Sequence, residues 1–256
     1  MTTGTDMVKT PDADLERHIR LLIDAWFALP GLAVNPHETD LDAFLNSVGL
    51  VNAAAECTRS YLDVSPENRI AKGVLARSVF EFGITCVWLL MRGADGFEAL
   101  RWEDQRQQKN TVTEMGDQDV FEALRLTLDR IGSEPERPRN FLVNEVRRFD
   151  KMVAALDSGD TPMYVIYRMY SRYSHGSLAV SNSYLDKDED GDLGVYFPAR
   201  HPALNDHLGT AVAPLVWAMN AVNKILRDQP LRGKLAAMEV LLGTSIDFTS
   251  KEPTST

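Results

Sequence analysis

Cysteine is scarce in this sequence: Cys57 and Cys86 are the only two. Two thiols cannot build a four-thiolate metal site. Both fall inside apolar helical patterns, which reads as buried, inert side chains rather than a secreted disulfide framework. Long hydrophobic runs are also missing. The longest uninterrupted one, Ile84 to Met91, is far short of the roughly 20 residues that cross a bilayer. The polar stretch Met1 to Lys9 lacks the apolar core of a signal peptide. A cytoplasmic protein with no membrane partner is the expectation. Basic charge is the third shortage, with 27 Lys and Arg against 37 Asp and Glu, a net charge of -10 and a pI near 5.0. That balance disfavours a wholly basic nucleic-acid binder and leaves room for a local basic patch. No P-loop, no G-x-G-x-x-G after a strand and no G-x-S-x-G elbow occurs, which removes common nucleotide-dependent and hydrolase readings. No cofactor and no metal site is expected.

The remaining composition is ordinary. A chain of 256 residues with 44% hydrophobic and 25% charged side chains is globular and slightly longer than the usual single domain. Apolar residues recur at helical spacing in nearly every long segment, and the pattern predicts an all-α, multi-helix bundle of about eight or nine helices. We expect one helical domain over residues 11–245, between a disordered N-terminus (1–10) and a disordered tail (246–256). Leu15, Ile19, Leu22, Ile23 and Trp26 form the first stripe, ended by Pro30-Gly31. A second helix starts near Thr39 and runs towards Tyr61. Ser65-Pro66-Glu67 reads as the start of a third, which reaches about Met91, is stopped by Gly93 and is central because its second half is apolar nearly all round. Further helices are expected over Phe97 to Val112, Gln118 to Ile131, Arg139 to Leu156, Thr161 to His175, Leu204 to Arg227 and Leu231 to Leu242. The stretch Asp186 to Gly194 reads as an acidic loop, and Gly194 to Phe197 as the one extended segment or short hairpin.

Two polar islands interrupt the apolar pattern. Arg77 and Glu81 lie four residues apart in the most apolar helix, so they share a face and can pair. A buried charge is costly unless paired. The pair is therefore either a structural ion pair or the lining of a cavity in which Glu81 orients Arg77. The second island is Tyr164-Val-Ile-Tyr-Arg-Met-Tyr-Ser-Arg-Tyr-Ser-His-Gly-Ser177. At about 100° per residue, positions seven apart return to within about 20°. Arg168 and His175 then share a face, beside Tyr164, Ser171 and Arg172. A histidine in a last helical turn is commonly a stabiliser of the helix C-terminus; the surrounding arginines, serines and tyrosines give it a second reading as part of a site.

Arg77-Ser-Val-Phe-Glu81, followed some ninety residues later by the Tyr167 to Gly176 segment, resembles the DUF5677 family of helical proteins. That family pairs an R-x-x-x-E helix with a later Y-x-x-x-S-x-x-x-H-like helix, and the likeness would span about Leu41 to Leu226. The later helix also resembles the R-x4-6-H motif of HEPN-type ribonucleases and toxins, with six residues between Arg168 and His175. The resemblance implies a homodimer that cleaves RNA without a metal, in a toxin or phage-defence setting. Arg168 and His175 would be catalytic, with Arg172, Tyr164, Ser171, Arg77 and Glu81 binding substrate. HEPN enzymes usually carry a polar residue directly after the arginine, and Met169 stands there. RNA contact is also suggested by Arg137, Arg139, Arg147, Arg148 and Lys151, a net-basic stretch in an acidic chain. The alternative is a non-enzymatic binding or scaffold protein with a buried Arg-Glu-His network. A third reading is a small-molecule pocket lined by Trp88, Tyr164, Tyr167 and His175.

Two motifs fail on inspection. Asp186-Lys-Asp-Glu-Asp-Gly191 copies the first half of a calcium loop, but Phe197 occupies the place of the required glutamate. His201, Asp206 and His207 match no recognised metal spacing.

Overall fold

The computed structural model describes residues 12–34, 40–115, 137–156, 163–175, 177–187, 189–197, 199 and 207–248. Among them the chain forms nine helices and one two-stranded hairpin, the all-α bundle that the apolar spacing predicts. In chain order these are α1 (Asp12–Phe27), α2 (Leu41–Asp63), α3 (Arg69–Met115), α4 (Asn140–Arg147), α5 (Phe149–Leu156), α6 (Met163–Ser174) and α7 (Leu178–Asn182), then β1 (Leu185–Lys187) and β2 (Leu193–Val195), then α8 (Leu208–Ile225) and α9 (Arg232–Leu242). The helix expected over Gln118 to Ile131 and the N-terminal ten residues lie outside the described residues.

α3 is the element on which the others assemble. It packs against α2, α8, α6, α4 and α5. Ala76, Val79, Phe80, Ile84, Val87, Trp88 and Leu89 carry the core along its first half. An 18-residue window of this helix is apolar enough to span a bilayer, with mean hydropathy 1.6, yet 50% of it is buried inside the fold. α8 is the second central helix, buried on every side from Ala211 to Asn220, as expected of a helix that is apolar all round. α3 and α8 meet where glycine meets proline: a Cβ placed on Gly83 would lie 2.7 Å from the carbonyl carbon of Pro214 and 2.8 Å from its Cβ. Only glycine permits that approach.

Local chemistry accounts for most boundaries. Asp40 caps α2, its carboxylate accepting from Ala43 N at 2.8 Å. Gly93, with φ 56° and ψ -136°, interrupts helical geometry inside α3, so the break expected there is present although the helix continues on the far side. Ser65-Pro66 proves to be a turn rather than the first turn of a helix. Asn68 N bonds to Ser65 O, and Asn68 O receives the first helical bond, from Lys72 N at 3.1 Å. The single helix expected over Arg139 to Leu156 is two. Arg148 is extended (φ -130°, ψ 95°), and the bend brings Phe149 against Tyr167, with ring centroids 4.6 Å apart, and against Phe80 at 6.2 Å. Burying that ring offsets the lost helical continuity.

The acidic segment is the tip of the β1–β2 hairpin, with Asp186 paired to Gly194 and Gly191 in a left-handed turn conformation at φ 87°. The extended structure therefore begins at Leu185, earlier than the pattern indicated. At the other end, the expected tail boundary at residue 246 falls inside packed structure: Ile246 is buried and Phe248 sits edge-on to Trp217 at 5.2 Å. Residues 249–256 lie outside the described residues.

Candidate functional site

α6 lies along α3 with Met163, Tyr167, Tyr170 and Ser174 directed inward. That is the i, i+4, i+7, i+11 stripe of an amphipathic helix. Met163 and Tyr170 are almost fully buried. Tyr167 packs on Phe80 and Phe149, and its hydroxyl emerges beside the first polar island. The two islands thereby become one cluster.

Arg77 is its centre. Its Nε donates to Glu81 Oε1 at 3.1 Å, and Nη2 lies 3.0 Å from the same oxygen. Nη2 also donates to the Tyr167 hydroxyl at 3.4 Å, while that hydroxyl donates to Glu81 Oε1 at 3.2 Å. Nη1 donates to Ser174 Oγ and reaches His175 Nε2 at 3.2 Å. A guanidinium has no lone pair to give, so Nε2 must be the acceptor and the imidazole carries no proton there. Ser174 Oγ passes its own proton to Ser171 O at 3.1 Å. The Arg77 and Glu81 side chains are 20% and 34% exposed, so the pair is sheltered without being sealed. Burial works against the Arg77 charge, but Glu81 and Tyr167 outweigh it and hold the guanidinium above its ordinary pKa.

The expected site residues divide into two groups. Arg77, Glu81 and His175 come together with Tyr167 and Ser174. Arg168 and Arg172 are exposed, on the outer side of α6, and neither makes an ion pair with a described residue. Tyr164 is 40% exposed and stacks on Tyr167 at 6.3 Å. Ser171 bonds back to its own helix at Tyr167 O, 2.8 Å away. His175 falls just beyond the last helical residue and is exposed, so it leaves the helical face it was assigned and turns to Arg77. Ser174 was missing from the expected site, and Tyr167 entered only as a wall of the small-molecule pocket. The Tyr167-Ser171-Ser174 spacing, i, i+4, i+7, was the available signal, because it marks the side of α6 that faces Arg77.

Two further polar clusters were not anticipated. Trp88 Nε1 donates to Glu145 Oε2 at 2.8 Å, and Arg92 clamps the same carboxylate through Nε at 3.1 Å and Nη2 at 2.9 Å. Both partners of that ion pair are only 13% exposed, and it ties α3 to α4. Trp88 is fully buried on this lock. The second cluster is Glu103 with Arg106 and Gln107. Burial pushes the Glu103 carboxyl up, but these bonds and the charge of Arg147 outweigh it and hold the carboxyl below its usual range. The basic stretch is partly spoken for in consequence: Arg147 lies 3.8 Å from Glu103 and Arg148 pairs with Asp150. Arg137, Arg139 and Lys151 remain exposed. Of the histidines once weighed as ligands, His207 precedes α8 and accepts Ala211 N through its carbonyl; His201 and Asp206 lie outside the described residues.

Comparison of the chain with known proteins gave no match among protein families, curated proteins or solved structures.

Proposed function

We propose that the chain is a HEPN-like, metal-independent endoribonuclease acting as a homodimer, with His175 as the proton-transfer residue. One observation carries the reading. An exposed imidazole presents an unprotonated Nε2 held 3.2 Å from Arg77, and Arg77 is itself fixed by Glu81 and Tyr167. In this reading a ribose 2′-hydroxyl displaces the guanidinium from Nε2. His175 takes the hydroxyl proton as the 2′-oxygen bonds to phosphorus, then returns a proton to the 5′-oxygen as the P–O5′ bond breaks. The released Nη1 of Arg77 turns to the negative charge on the phosphate, and Arg168 and Arg172, exposed one step around α6, hold flanking phosphates. The resemblance to R-x6-H enzymes supports this assignment, with Arg77 added as an arginine contributed by another helix.

A second reading has its own support. The Arg77 donors are satisfied by Glu81, Tyr167 and Ser174, which is what a lock fixing α3 against α6 requires in a non-enzymatic scaffold. RNA cleavage in EDTA separates the two. The nuclease reading expects cleavage by the wild type, a loss of about 100-fold or more with His175→Ala, and a smaller loss with Arg168→Ala. Equal cleavage by all three, or none by any, would leave the scaffold.

A further inference from the structure

Every nitrogen of the Arg77 guanidinium has a partner. Nε donates to Glu81 Oε1 and Nη2 to the Tyr167 hydroxyl, while Nη1 is shared between Ser174 Oγ and His175 Nε2. The acceptors are a carboxylate, two hydroxyls and an imidazole. Of these types, imidazole alone ordinarily changes its charge between about pH 5 and 8. One contact of the set is therefore open to control by a proton, and it is the contact at the end of α6.

Two neighbours pull the His175 ring in opposite directions. With Nε2 unprotonated, the ring accepts from Arg77 Nη1 at 3.2 Å. With Nε2 protonated it has no lone pair there, and donor meets donor between two cations. The helix end works the other way. His175 directly follows Ser174, the last residue of α6, where the macrodipole favours an imidazolium. The ionisable groups around the ring are Arg77 and Glu81 of α3 and Tyr167 and Arg172 of α6, and α7 carries none. Glu81 engages the Nε and Nη2 side of the guanidinium and His175 meets Nη1, so the charge that touches the imidazole is the cation. We infer that the Arg77–His175 contact is a pH-sensitive latch at the C-terminal end of α6. With the ring unprotonated the latch is closed on Nη1. Protonation moves the imidazolium from Arg77 to the helix end, while Nη1 keeps Ser174 and the Glu81 and Tyr167 contacts stay. Acid thus opens one tie between α3 and α6 without breaking the rest. The latch belongs to both readings of the cluster, and its test involves no RNA.

The test is nitrogen NMR of the isotope-labelled full chain between about pH 5 and 8. It follows His175 Nε2 together with Nε, Nη1 and Nη2 of Arg77. Nη1 should shift with the same midpoint as His175 Nε2, and by more than Nε or Nη2. The Overhauser contact between the Arg77 side chain and the His175 ring should be present at the alkaline end and lost at the acid end. In His175→Gln, whose carboxamide does not titrate, the Nη1 step should vanish. On the wild type alone, an Nη1 resonance that stays fixed while the His175 ring titrates would overturn the inference, as would an Overhauser contact that persists in acid. An equal Nη1 step in His175→Gln would overturn it too, because another group would then be the source.

Discussion

At the scale of single residues, burial sets chemistry more than residue type does. Cys86 is fully buried, and desolvation pushes its thiol up from 9.0 to about 12. Cys57, half-buried, moves in the same direction through burial and the charge of Glu56. A folded thiol that keeps its proton above the pKa of the unfolded one stabilises the fold fully below pH 9, and that contribution is lost as pH rises from 9.0 towards about 12. The unfolded chain binds fewer protons in that window. The loss has a ceiling of about 1.4 kcal/mol per pH unit. Urea unfolding between pH 8.5 and 11 should therefore show a steeper fall in stability for the wild type than for Cys86→Ala. Parallel curves would remove Cys86 as the cause. Arg77 follows the same logic in the polar direction, since its charge is tolerated in a half-buried place because every described neighbour on that side accepts from it or balances it.

At the scale of elements, the α3–α8 crossing is the tightest demand on sequence. Replacing a helical glycine with alanine ordinarily gains about 1 kcal/mol from propensity. At Gly83 the added Cβ meets the backbone of Pro214 at 2.7 Å, and overpacking against an unyielding neighbour costs about 3 kcal/mol. The clash wins, and Gly83→Ala should lower Tm by several degrees in calorimetry; an unchanged or raised Tm would show that the helices separate freely. Nothing in the sequence marks that crossing, because it depends on which glycine lies over which proline. What was legible were features fixed within a turn or two: the apolar stripe of α1, the start of α2 near residue 40, the interruption at Gly93, and Arg77 beside Glu81. Arg148 was not, since the bend there follows from a distant ring, Tyr167, that receives Phe149. The site behaved alike. Spacing singled out both helices, but it did not show that the face of α6 turned to Arg77 carries Tyr167 and Ser174, with Arg168 and Arg172 on the outer side. Helical periodicity gives relative angles along one helix, and only packing on α3 decides which of them points inward.

At the scale of the whole molecule, the net charge of -10 is unevenly spread, with acid on the hairpin tip and exposed arginines along α6. In the ribonuclease reading an RNA would be attracted locally and repelled elsewhere, so its approach should be strongly salt-dependent. The Gly93 interruption has a consequence of another kind. The part of α3 before it meets α6 through Arg77 and α8 through Gly83 and supplies most of its buried apolar residues, whereas the part beyond it has few, Ala99 among them, beside the sheltered Glu103 and Gln105. A helix whose two ends differ so much in enclosure, divided by a residue outside helical geometry, need not open as one cooperative unit. Amide hydrogen exchange should accordingly resolve two classes within a single helix: protons of residues 79–89 that exchange only with global unfolding, and protons of residues 97–112 that exchange through a cheaper, local opening. A uniform rate across Gly93 would make the whole of α3 one folding unit.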